Sequence, residues 1–327
     1  MSIRNITYRL FVLLLGCLAT MAAQAQTDAQ FTQYWAVPAY YNAGAIGNTD
    51  FIHITAGSRL QWVGIRHAPM TFGAMADMPF KFLGRRWGVG VVLQAETMGL
   101  YRNTTAEAQF AWKKNMLHGT LSVGIQAGIL NEVFKTGSDL RTIDGDDAHT
   151  SADDAIPKND VSGTTFDAGV GVMFTHKRFW VGASVTHLTA PTITMKMGDD
   201  EEHVYEFDTG RNYYFMAGGN IPVRNTLFEL LPSVMVKTDF NAFTAEATAR
   251  FRYNRFISAG VAYRYNDAVS AMIGVDYKNF FFGYSYDYAT SAISRASYGS
   301  HELFLQYNVK LNMGERNRNK HKAIRIL

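Results

Sequence analysis

Nine histidines and a single cysteine are the side chains of this sequence best suited to nucleophilic, acid–base or metal chemistry. Catalysis requires a nucleophile beside a base, or two carboxylates held together, and the sequence shows no such grouping. It also lacks the nucleophile elbow Gly-x-Ser-x-Gly. The histidines are scattered without the pair spacing of metal ligands: His53, His67, His118, His149, His176, His187, His203, His301 and His321. We therefore expect no catalytic residue, no metal site and no cofactor.

Acidic side chains are concentrated in two stretches that have almost no apolar periodicity. Residues 137–163 contain seven aspartates, and a second acidic stretch begins at residues 198–203. The run Asp144-Gly145-Asp146-Asp147 offers oxygen ligands that calcium prefers, but it lacks the spaced acids and the closing glutamate of an EF-hand. Two long, solvated acidic loops are the favoured interpretation.

The first residues of the chain indicate export. The first residues are positively charged through Arg4 and Arg9, residues 10–15 are apolar, and Ala23-Gln24-Ala25 is a small-residue cleavage site. An alternative is a lipoprotein box at Leu14-Leu15-Gly16-Cys17, with the cysteine acylated. Cleavage after Ala25 would leave no cysteine, and this would remove disulfides, thiolate nucleophiles and cysteine-ligated metals.

Composition narrows the classes further. The net charge of +3 is small and mixed, so nucleic acid is not an expected partner. No run of about eighteen apolar residues follows the export signal, which argues against a helical membrane span. The chain is rich in glycine (28), tyrosine (17) and phenylalanine (22) and poor in proline (7).

Strict alternation of apolar and polar residues is the main structural signal. In residues 243–253 every odd position is apolar and every even position is polar or charged. Successive strand residues point to opposite faces, so such a segment has one apolar and one wet side. About fourteen similar segments lie between Phe51 and Leu311, each near the roughly 9–11 residues that cross a bilayer when tilted.

Alternation also occurs in water-soluble β-sandwiches, and two features favour a membrane barrel instead. The non-apolar face consists of Gly, Ser, Thr and single charges, as a hydrated lumen would. Aromatic residues fall near strand ends, where they would form interfacial girdles: Tyr101, Trp112, Trp180, Tyr253, Tyr277, Tyr288 and Tyr307. A spanning sheet must close, because open edges would leave unpaired backbone groups in hydrocarbon.

The predicted fold is therefore all-β, a transmembrane antiparallel outer-membrane β-barrel of about 14 strands. We divide the chain into a signal peptide (1–25), an N-terminal periplasmic, plug-like segment (26–49), the barrel (50–312) and a basic periplasmic tail (313–327). Tyr253-Asn254-Arg255 and Asn266-Asp267 look like short turns. Such barrels place short turns on the periplasmic side, so the two acidic loops should face the exterior.

Charges on the wet face should lie in the lumen. Asp276 and Asp287 fall on neighbouring strands, and Arg250, Arg252 and Arg264 fall on the strands before them. Buried charge requires partners, so we expect these side chains to form a hydrated internal network.

His301 and Glu302 are consecutive residues of the last predicted strand. They should point to opposite faces and cannot act on one substrate together. We expect instead closing contacts between the last strand, the first strand and the N-terminal segment. An outer-membrane protease or lipase assembled from distant strands is a less favoured alternative.

Three blocks of the sequence resemble the PorP/SprF family of Bacteroidetes type IX secretion and gliding-motility proteins. The opening block is Gln30-Phe31-Thr32-Gln33-Tyr34-Trp35, with Pro38 and Tyr41-Asn42-Ala43-Gly44. The second is Arg59-Leu60-Gln61-Trp62, Pro69-Met70-Thr71 and Asp77-Met78-Pro79. The closing block is Gly283-Tyr284-Ser285-Tyr286-Asp287 and Gly299-Ser300-His301-Glu302-Leu303. The family's repeated Asn-Pro pair is incomplete here, since Val37-Pro38 and Asn42-Ala43 each keep half of it.

The resemblance implies an outer-membrane barrel, in contact with outer-membrane lipid, that is required for secretion or surface attachment of cargo. Its implied partners are periplasmic ring and lipoprotein components of the type IX secretion system and the C-terminal signal domains of cargo. The resemblance implies structural roles for these motif residues: Gln30, Phe31, Gln33, Tyr34, Asn42, Gly44, Arg59, Gln61, Trp62, Pro69, Asp77, Pro79, Tyr284, Tyr286, Asp287, Gly299, His301 and Glu302. A passive porin or small-solute transport barrel is the alternative.

Two segments are candidates for partner binding. The aromatic N-terminal segment either packs in the barrel mouth or presents Tyr34, Trp35, Tyr40 and Tyr41 to a partner. The tail is basic and would emerge in the periplasm, where it could dock on an acidic partner protein or on peptidoglycan, or remain a solvated extension. Its charged residues are Arg316, Arg318, Lys320, Lys322 and Arg325.

Overall fold

The computed structural model describes residues 28–136, 157, 159–196 and 204–311, and these contain seventeen strands and one short α-helix. The strands are β1 (Phe51–Leu60), β2 (Met70–Phe82), β3 (Arg85–Met98), β4 (Tyr101–Met116), β5 (Gly119–Phe134), β6 (Val161–Thr175), β7 (Phe179–Thr186), β8 (Thr192–Met195), β9 (Tyr205–Asp208), β10 (Asn212–Gly219), β11 (Ile221–Pro222), β12 (Phe228–Thr238), β13 (Phe243–Tyr253), β14 (Ile257–Arg264), β15 (Ala268–Tyr277), β16 (Phe280–Ala289) and β17 (Ser300–Lys310). Helix α1 is Pro38–Tyr41, and 3₁₀ turns lie at Ala43–Ala45 and Ala292–Arg295.

Fourteen of the strands form a closed antiparallel barrel. Each strand pairs with its neighbour in sequence, and β10 pairs with both β7 and β12. The barrel closes where β1 meets β17, in a register that sets Arg59 opposite Glu302. The short strand β11 adds to β12, and β8 and β9 form a separate hairpin. Closure satisfies the backbone groups that an open sheet would expose, as the sequence predicted.

The two faces of the strands follow the predicted alternation. On β13 the side chains of Thr244, Glu246 and Thr248 are buried inside the barrel, while Phe251 and Tyr253 are exposed on the outside. The outward residues of the other strands are also mainly large and apolar, which suits contact with lipid. No helix among the described residues is long and apolar enough to cross a membrane.

The barrel has two unlike ends. The turn end carries Phe51, Lys310, the short connections 83–84, 117–118, 176–178, 254–256 and 278–279, and the longer connection 220–227. The loop end carries the long connections 135–160, 187–211 and 290–299, the connection 61–69 and the short turns 99–100, 239–242 and 265–267. The predicted turns at 253–255 and 266–267 are confirmed, and Asn254, Arg255 and Asn266 have positive φ. The first lies at the turn end and the second at the loop end, so short turns are not confined to one side as expected. The first acidic stretch was predicted to reach Gly163, but β6 already begins at Val161 because its backbone pairs with Phe134 of β5.

The hairpin β8–β9 folds inward at the loop end. Ile193 and Met195 of β8 pack against Leu130 and Val161, which are inward residues of β5 and β6. A bridge between Ser162 and Lys196 ties the hairpin to β6. The loop end of the lumen is therefore narrowed by strand residues on one side.

Two of the predicted girdle aromatics point inward. Trp180 lies over Gly218 of β10, where a Cβ would meet the indole ring at 2.5 Å, so the missing side chain makes room for the ring inside the barrel. Tyr101 packs against Phe134 and Phe207. Tyr253, Tyr277, Tyr288 and Tyr307 are exposed on the outside near strand ends, as expected.

Candidate functional site: the lumen and its N-terminal segment

Residues 28–48, which we call the N-terminal segment, lie inside the barrel. The segment runs from the side of the loop end, where Asp28 contacts His187, to the turn end, where Gly47 contacts Asp77. Pro38 begins helix α1, its fixed φ suiting a first helical turn, and the side chain of Asn42 caps the following 3₁₀ turn. The segment thus crosses the lumen in a compact, partly helical form.

Glycines in the wall allow this backbone to approach closely. A Cβ at Gly124 of β5 would lie 2.3 Å from the carbonyl carbon of Ala43, and one at Gly88 of β3 would lie 2.7 Å from the carbonyl oxygen of Ile46. Both distances are shorter than van der Waals contact, so no other residue fits at these positions without moving the segment.

Polar contacts fix the middle of the segment. The Asn42 amide nitrogen donates to the backbone carbonyls of Val172 and Ala183, and its oxygen accepts from the Gly44 amide. A Cβ at Gly44 would lie 3.0 Å from the backbone nitrogen of Met173. These contacts give the motif residues Asn42 and Gly44 a direct structural explanation.

An aromatic cluster fills the centre of the lumen. Phe31 packs edge-on against Tyr40 and Phe304, and Tyr41 packs against Tyr40 and Tyr214. Tyr34, Tyr40 and Tyr41 are buried, while Trp35 is half-buried beside Phe281. Of the two alternatives for these four residues, burial favours packing, and partner binding by them stays a prediction.

A cluster of charged side chains surrounds Thr32, and we call it the Thr32 cluster: Thr32, Arg59, Arg264, Asp287 and Glu302. The Thr32 hydroxyl lies 2.8 Å from Asp287 and accepts from Arg59 at 3.1 Å and Arg264 at 2.9 Å. Arg59 pairs with Asp287 at 2.7 Å and with Glu302 at 3.2 Å. One hydroxyl of the segment is therefore the shared partner of charges on three strands.

Glu302 holds the backbone of the segment as well. Its two carboxylate oxygens accept from the amides of Thr32 and Gln33, each at 2.8 Å. His301 lies on the other face of β17, where its ring nitrogen Nδ1 is hydrogen-bonded to the Tyr284 hydroxyl at 2.8 Å. The two consecutive residues thus face opposite sides of the wall.

Of the charges predicted to form a hydrated network, Asp287 and Arg264 are instead buried in this cluster, while Arg250, Arg252 and Asp276 line a cavity at the turn end. Arg59 is 3%, Asp287 2% and Glu302 1% exposed. The N-terminal segment covers them, and their hydrogen bonds to Thr32 and Gln33 take the place of water. Arg264 also pairs with Glu246 at 2.8 Å, so each arginine is compensated by carboxylates.

A second group, the Asp28 cluster, holds the start of the described segment: Asp28, Asp167, His187, Tyr214 and Lys237. The His187 ring lies 2.6 Å from Asp28 and 2.6 Å from Asp167. Tyr214 donates to the Asp28 carboxylate at 2.6 Å, and Lys237 donates to the Asp28 carbonyl at 2.7 Å. Two strands and the loop after β7 therefore converge on Asp28, and β6 joins them because Asp167 contacts His187.

Neighbouring charges stabilise the charged forms of Asp28 and His187. Burial by itself would lower the pKa of His187, but the neighbouring carboxylates of Asp28 and Asp167 raise it to about 10. Burial would likewise raise the pKa of Asp28, yet His187 and Lys237 hold it well below its usual range. His187 and Asp28 therefore form an ion pair at neutral pH.

Two cavities remain on either side of the segment. The turn-end cavity, about 370 Å³, is lined by Trp35, His53, Asp77, Arg250 and Asp276 among others. The loop-end cavity, about 590 Å³, is bordered by Gln30 and Arg66. Neither lining includes the buried aromatic residues Phe31, Tyr34 and Tyr41 that separate them.

The remaining motif residues have three locations. In the lumen, Gln30 donates to Glu246 and Asp77 accepts from the Gly47 amide. Pro79 lies beside the same glycine, since a Cβ at Gly47 would be 3.2 Å from the Pro79 Cα. At the loop end, the Gln61 amide donates to the Pro69 carbonyl and the Trp62 amide to the Ser300 hydroxyl, near Gly299. Outside, the Tyr286 hydroxyl donates to the Tyr298 carbonyl.

Several predicted features lie outside the described residues. These are the signal peptide, the run 144–147, the second acidic stretch and the tail residues Arg316, Arg318, Lys320, Lys322 and Arg325. In the part of the chain that is described, no three His, Cys, Asp or Glu side chains are grouped to hold a metal ion.

Sequence reasoning missed the Asp28 cluster. Asp28 and His187 are 159 positions apart, and nothing local joins them. A signal was nonetheless present, because Lys237 occupies an inward position of β12 and a buried ammonium group requires an acceptor.

Solved outer-membrane proteins share the barrel shape at very low sequence identity. A FadL homologue from Pseudomonas aeruginosa is 9% identical with a TM-score of 0.49, covering 88% of this chain and 100% of that chain. The toluene transporter TodX of Pseudomonas putida is 8% identical, with a TM-score of 0.45 and coverage of 89% and 96%. The translocator domain of the autotransporter NalP from Neisseria meningitidis is 10% identical, with a TM-score of 0.43 and coverage of 85% and 94%.

Sequence comparison gives a more specific match. No curated protein matches the chain. A family model described as the type IX secretion system membrane protein PorP/SprF matches residues 23–307. The match spans the N-terminal segment and the barrel up to β17.

Proposed function

The chain belongs to the PorP/SprF family of type IX secretion system membrane proteins, and from this membership we propose that it is a non-enzymatic adaptor that binds periplasmic secretion components, cargo or both. It is an outer-membrane β-barrel. The family match over residues 23–307 is the observation that carries the proposal, because it includes both the wall and the segment inside it.

The filled lumen supports an adaptor over an open pore. The N-terminal segment is hydrogen-bonded to residues on opposite sides of the wall, including Glu302 on β17 and Gln109 on β4. A solute crossing the barrel would have to displace buried aromatic residues and break buried ion pairs, which is energetically costly. Binding would therefore use the ends of the barrel.

The turn end is the proposed periplasmic side. It carries both ends of the barrel sheet and most of the short turns, while the longest connections lie at the other end, as outer-membrane barrels usually place them. The basic tail follows Leu311, whose amide donates to the Asp50 carbonyl at this end. The tail would thus extend towards periplasmic components, and its positive charge suits an acidic surface.

Co-purification from outer membranes tests the tail. Deletion of residues 314–327 should leave barrel insertion intact and reduce recovery of periplasmic secretion components. A full-length variant with Arg316, Arg318, Lys320, Lys322 and Arg325 changed to Gln separates charge from length. Unchanged recovery with both variants would contradict docking by the tail, and loss with the deletion alone would assign it to the chain rather than to its charge.

Conductance tests the adaptor against a passive porin. In planar bilayers the full-length barrel should carry little current, because the N-terminal segment occupies the lumen. A steady, large conductance would favour the porin. Cross-linking in cells, with partner identification, would then decide whether cargo or periplasmic components lie at the turn end.

A further inference from the structure

Arg250 of β13 is held rigidly against the wall of the turn-end cavity. Its side chain lies over Gly260 of β14, where a Cβ would be 2.5 Å from the Arg250 Cγ. On the other side, the guanidinium carbon lies 3.1 Å from the centroid of the Trp35 ring. The arginine is therefore clamped between a glycine of the barrel and an indole of the N-terminal segment, and it has little freedom to seek a distant partner.

This guanidinium group has no acid partner among the described residues. No carboxylate lies within ion-pair distance of Arg250, and its buried Nε atom makes no hydrogen bond. The neighbouring Arg252 differs, because it pairs with Glu229 at 2.5 Å. The Nε donor of Arg250 has therefore lost water without gaining an acceptor, which is costly, and the rest of the half-buried guanidinium faces the cavity.

The two acids that face the same cavity form no ion pair with Arg250. Asp77 accepts from the Gly47 amide at 2.6 Å on the opposite wall. Asp276 lies on β15, two strands from Arg250, and it acts on the guanidinium through space without a direct contact. His53 is engaged by Asn308 at 2.5 Å and by Gln306 at 2.8 Å. The cavity therefore presents one preorganised cation with free donors, together with polar and aromatic walls.

We propose that the turn-end cavity binds an oxyanion, the carboxylate or phosphate group of a ligand, at Arg250. The planar fork of arginine donors matches both groups, and charge-assisted bonds of this kind are strong when water is excluded. The volume of about 370 Å³ accommodates a small molecule or one side chain of a partner. This site is independent of the secretion role.

A titration with two simple anions tests the proposal and distinguishes a carboxylate ligand from a phosphate ligand. Purified full-length barrel in neutral detergent is titrated with inorganic phosphate and, separately, with acetate, against sodium chloride of equal ionic strength. The reporter is tryptophan fluorescence, because an anion on Arg250 changes the charge over Trp35. Saturable binding of either anion is expected, and the tighter one identifies the source. A Trp35→Phe variant should lose the signal.

Variants assign the binding to Arg250. Arg250→Met keeps the stem and should weaken binding at least about tenfold, the loss of a charge-assisted bond. Arg250→Lys keeps the charge without the fork and should give an intermediate affinity. Arg255→Met, at an arginine whose side chain is 80% exposed, should bind as the wild type does. Absence of saturable binding in the folded wild type, or equal binding by Arg250→Met, would overturn the site.

Discussion

The guanidinium of Arg59, on the first strand of the barrel, lies 2.7 Å from the carboxylate of Asp287, on the last strand but one. β17 lies between them in the sheet, so this ion pair spans the seam where the barrel closes. Both side chains are almost fully buried, and the hydroxyl of Thr32 is bonded to each. The seam and the N-terminal segment are thus held by the same charges.

We expect Arg59→Met to destabilise the barrel by about 3–5 kcal/mol, because Glu302 would remain buried without its cation and Asp287 would keep only the longer contact with Arg264 at 3.7 Å. Urea unfolding in lipid vesicles measures the effect. The double variant Arg59→Met, Asp287→Asn should lose less unfolding free energy than the two single variants lose in sum, since the pair is removed together. Strict additivity would show that the ion pair contributes nothing.

Thr32→Val should lower the free energy of unfolding by about 1–3 kcal/mol, because a buried acceptor and donor shared by three charges is replaced by a methyl group of similar size. The matched control is Thr104→Val, at an exposed outward position of β4. Equal unfolding midpoints for the two variants would argue against a role for the hydroxyl.

The Asp28–His187 pair predicts a defined pH dependence. Folding raises the pKa of His187 from 6.5 to about 10. The stabilisation that results is complete below pH 6.5 and is lost as the pH rises towards 10. Folding lowers the pKa of Asp28 from its ordinary value of 3.8. The stabilisation that results is present above pH 3.8 and is lost in more acidic solution. The stability difference between wild type and His187→Gln should therefore be largest between about pH 4 and 6.5. A difference that does not vary from pH 5 to pH 10 would contradict the pairing.

Gly124→Ala should displace the N-terminal segment, because the added Cβ would lie 2.3 Å from the backbone of Ala43. Relocation of the segment should raise single-channel conductance and expose it to protease. Gly210→Ala is the control, since a Cβ there meets nothing within 4 Å. A variant with unchanged conductance and protease resistance would mean that the wall yields instead of the segment.

Strand positions were predictable because alternation is a local property. The pattern of residues 243–253 specifies which side chains of β13 face lipid, and no distant contact alters it. Trp180 shows the limit of such reasoning. Its direction depends on Gly218, on a neighbouring strand, and a residue near a strand end does not reveal its face by type alone.

The interior was less predictable because its contacts join distant parts of the chain. Asp287 and Arg264 were expected to lie in the lumen together, and they do, at 3.7 Å. Asp28 and Lys237 were not singled out, and Thr32 was noted only within the opening motif, since each becomes important only through the segment that occupies the lumen. The tail and the acidic run 144–147 remain predictions.

The contact between Thr32 and Glu302 joins residues 270 positions apart. During synthesis, the segment emerges long before β16 and β17, so its partners on those strands do not yet exist. Contacts of such high sequence separation form slowly. The interior therefore cannot reach its final arrangement until the closing strands are in place, and its ordering marks the completion of the barrel.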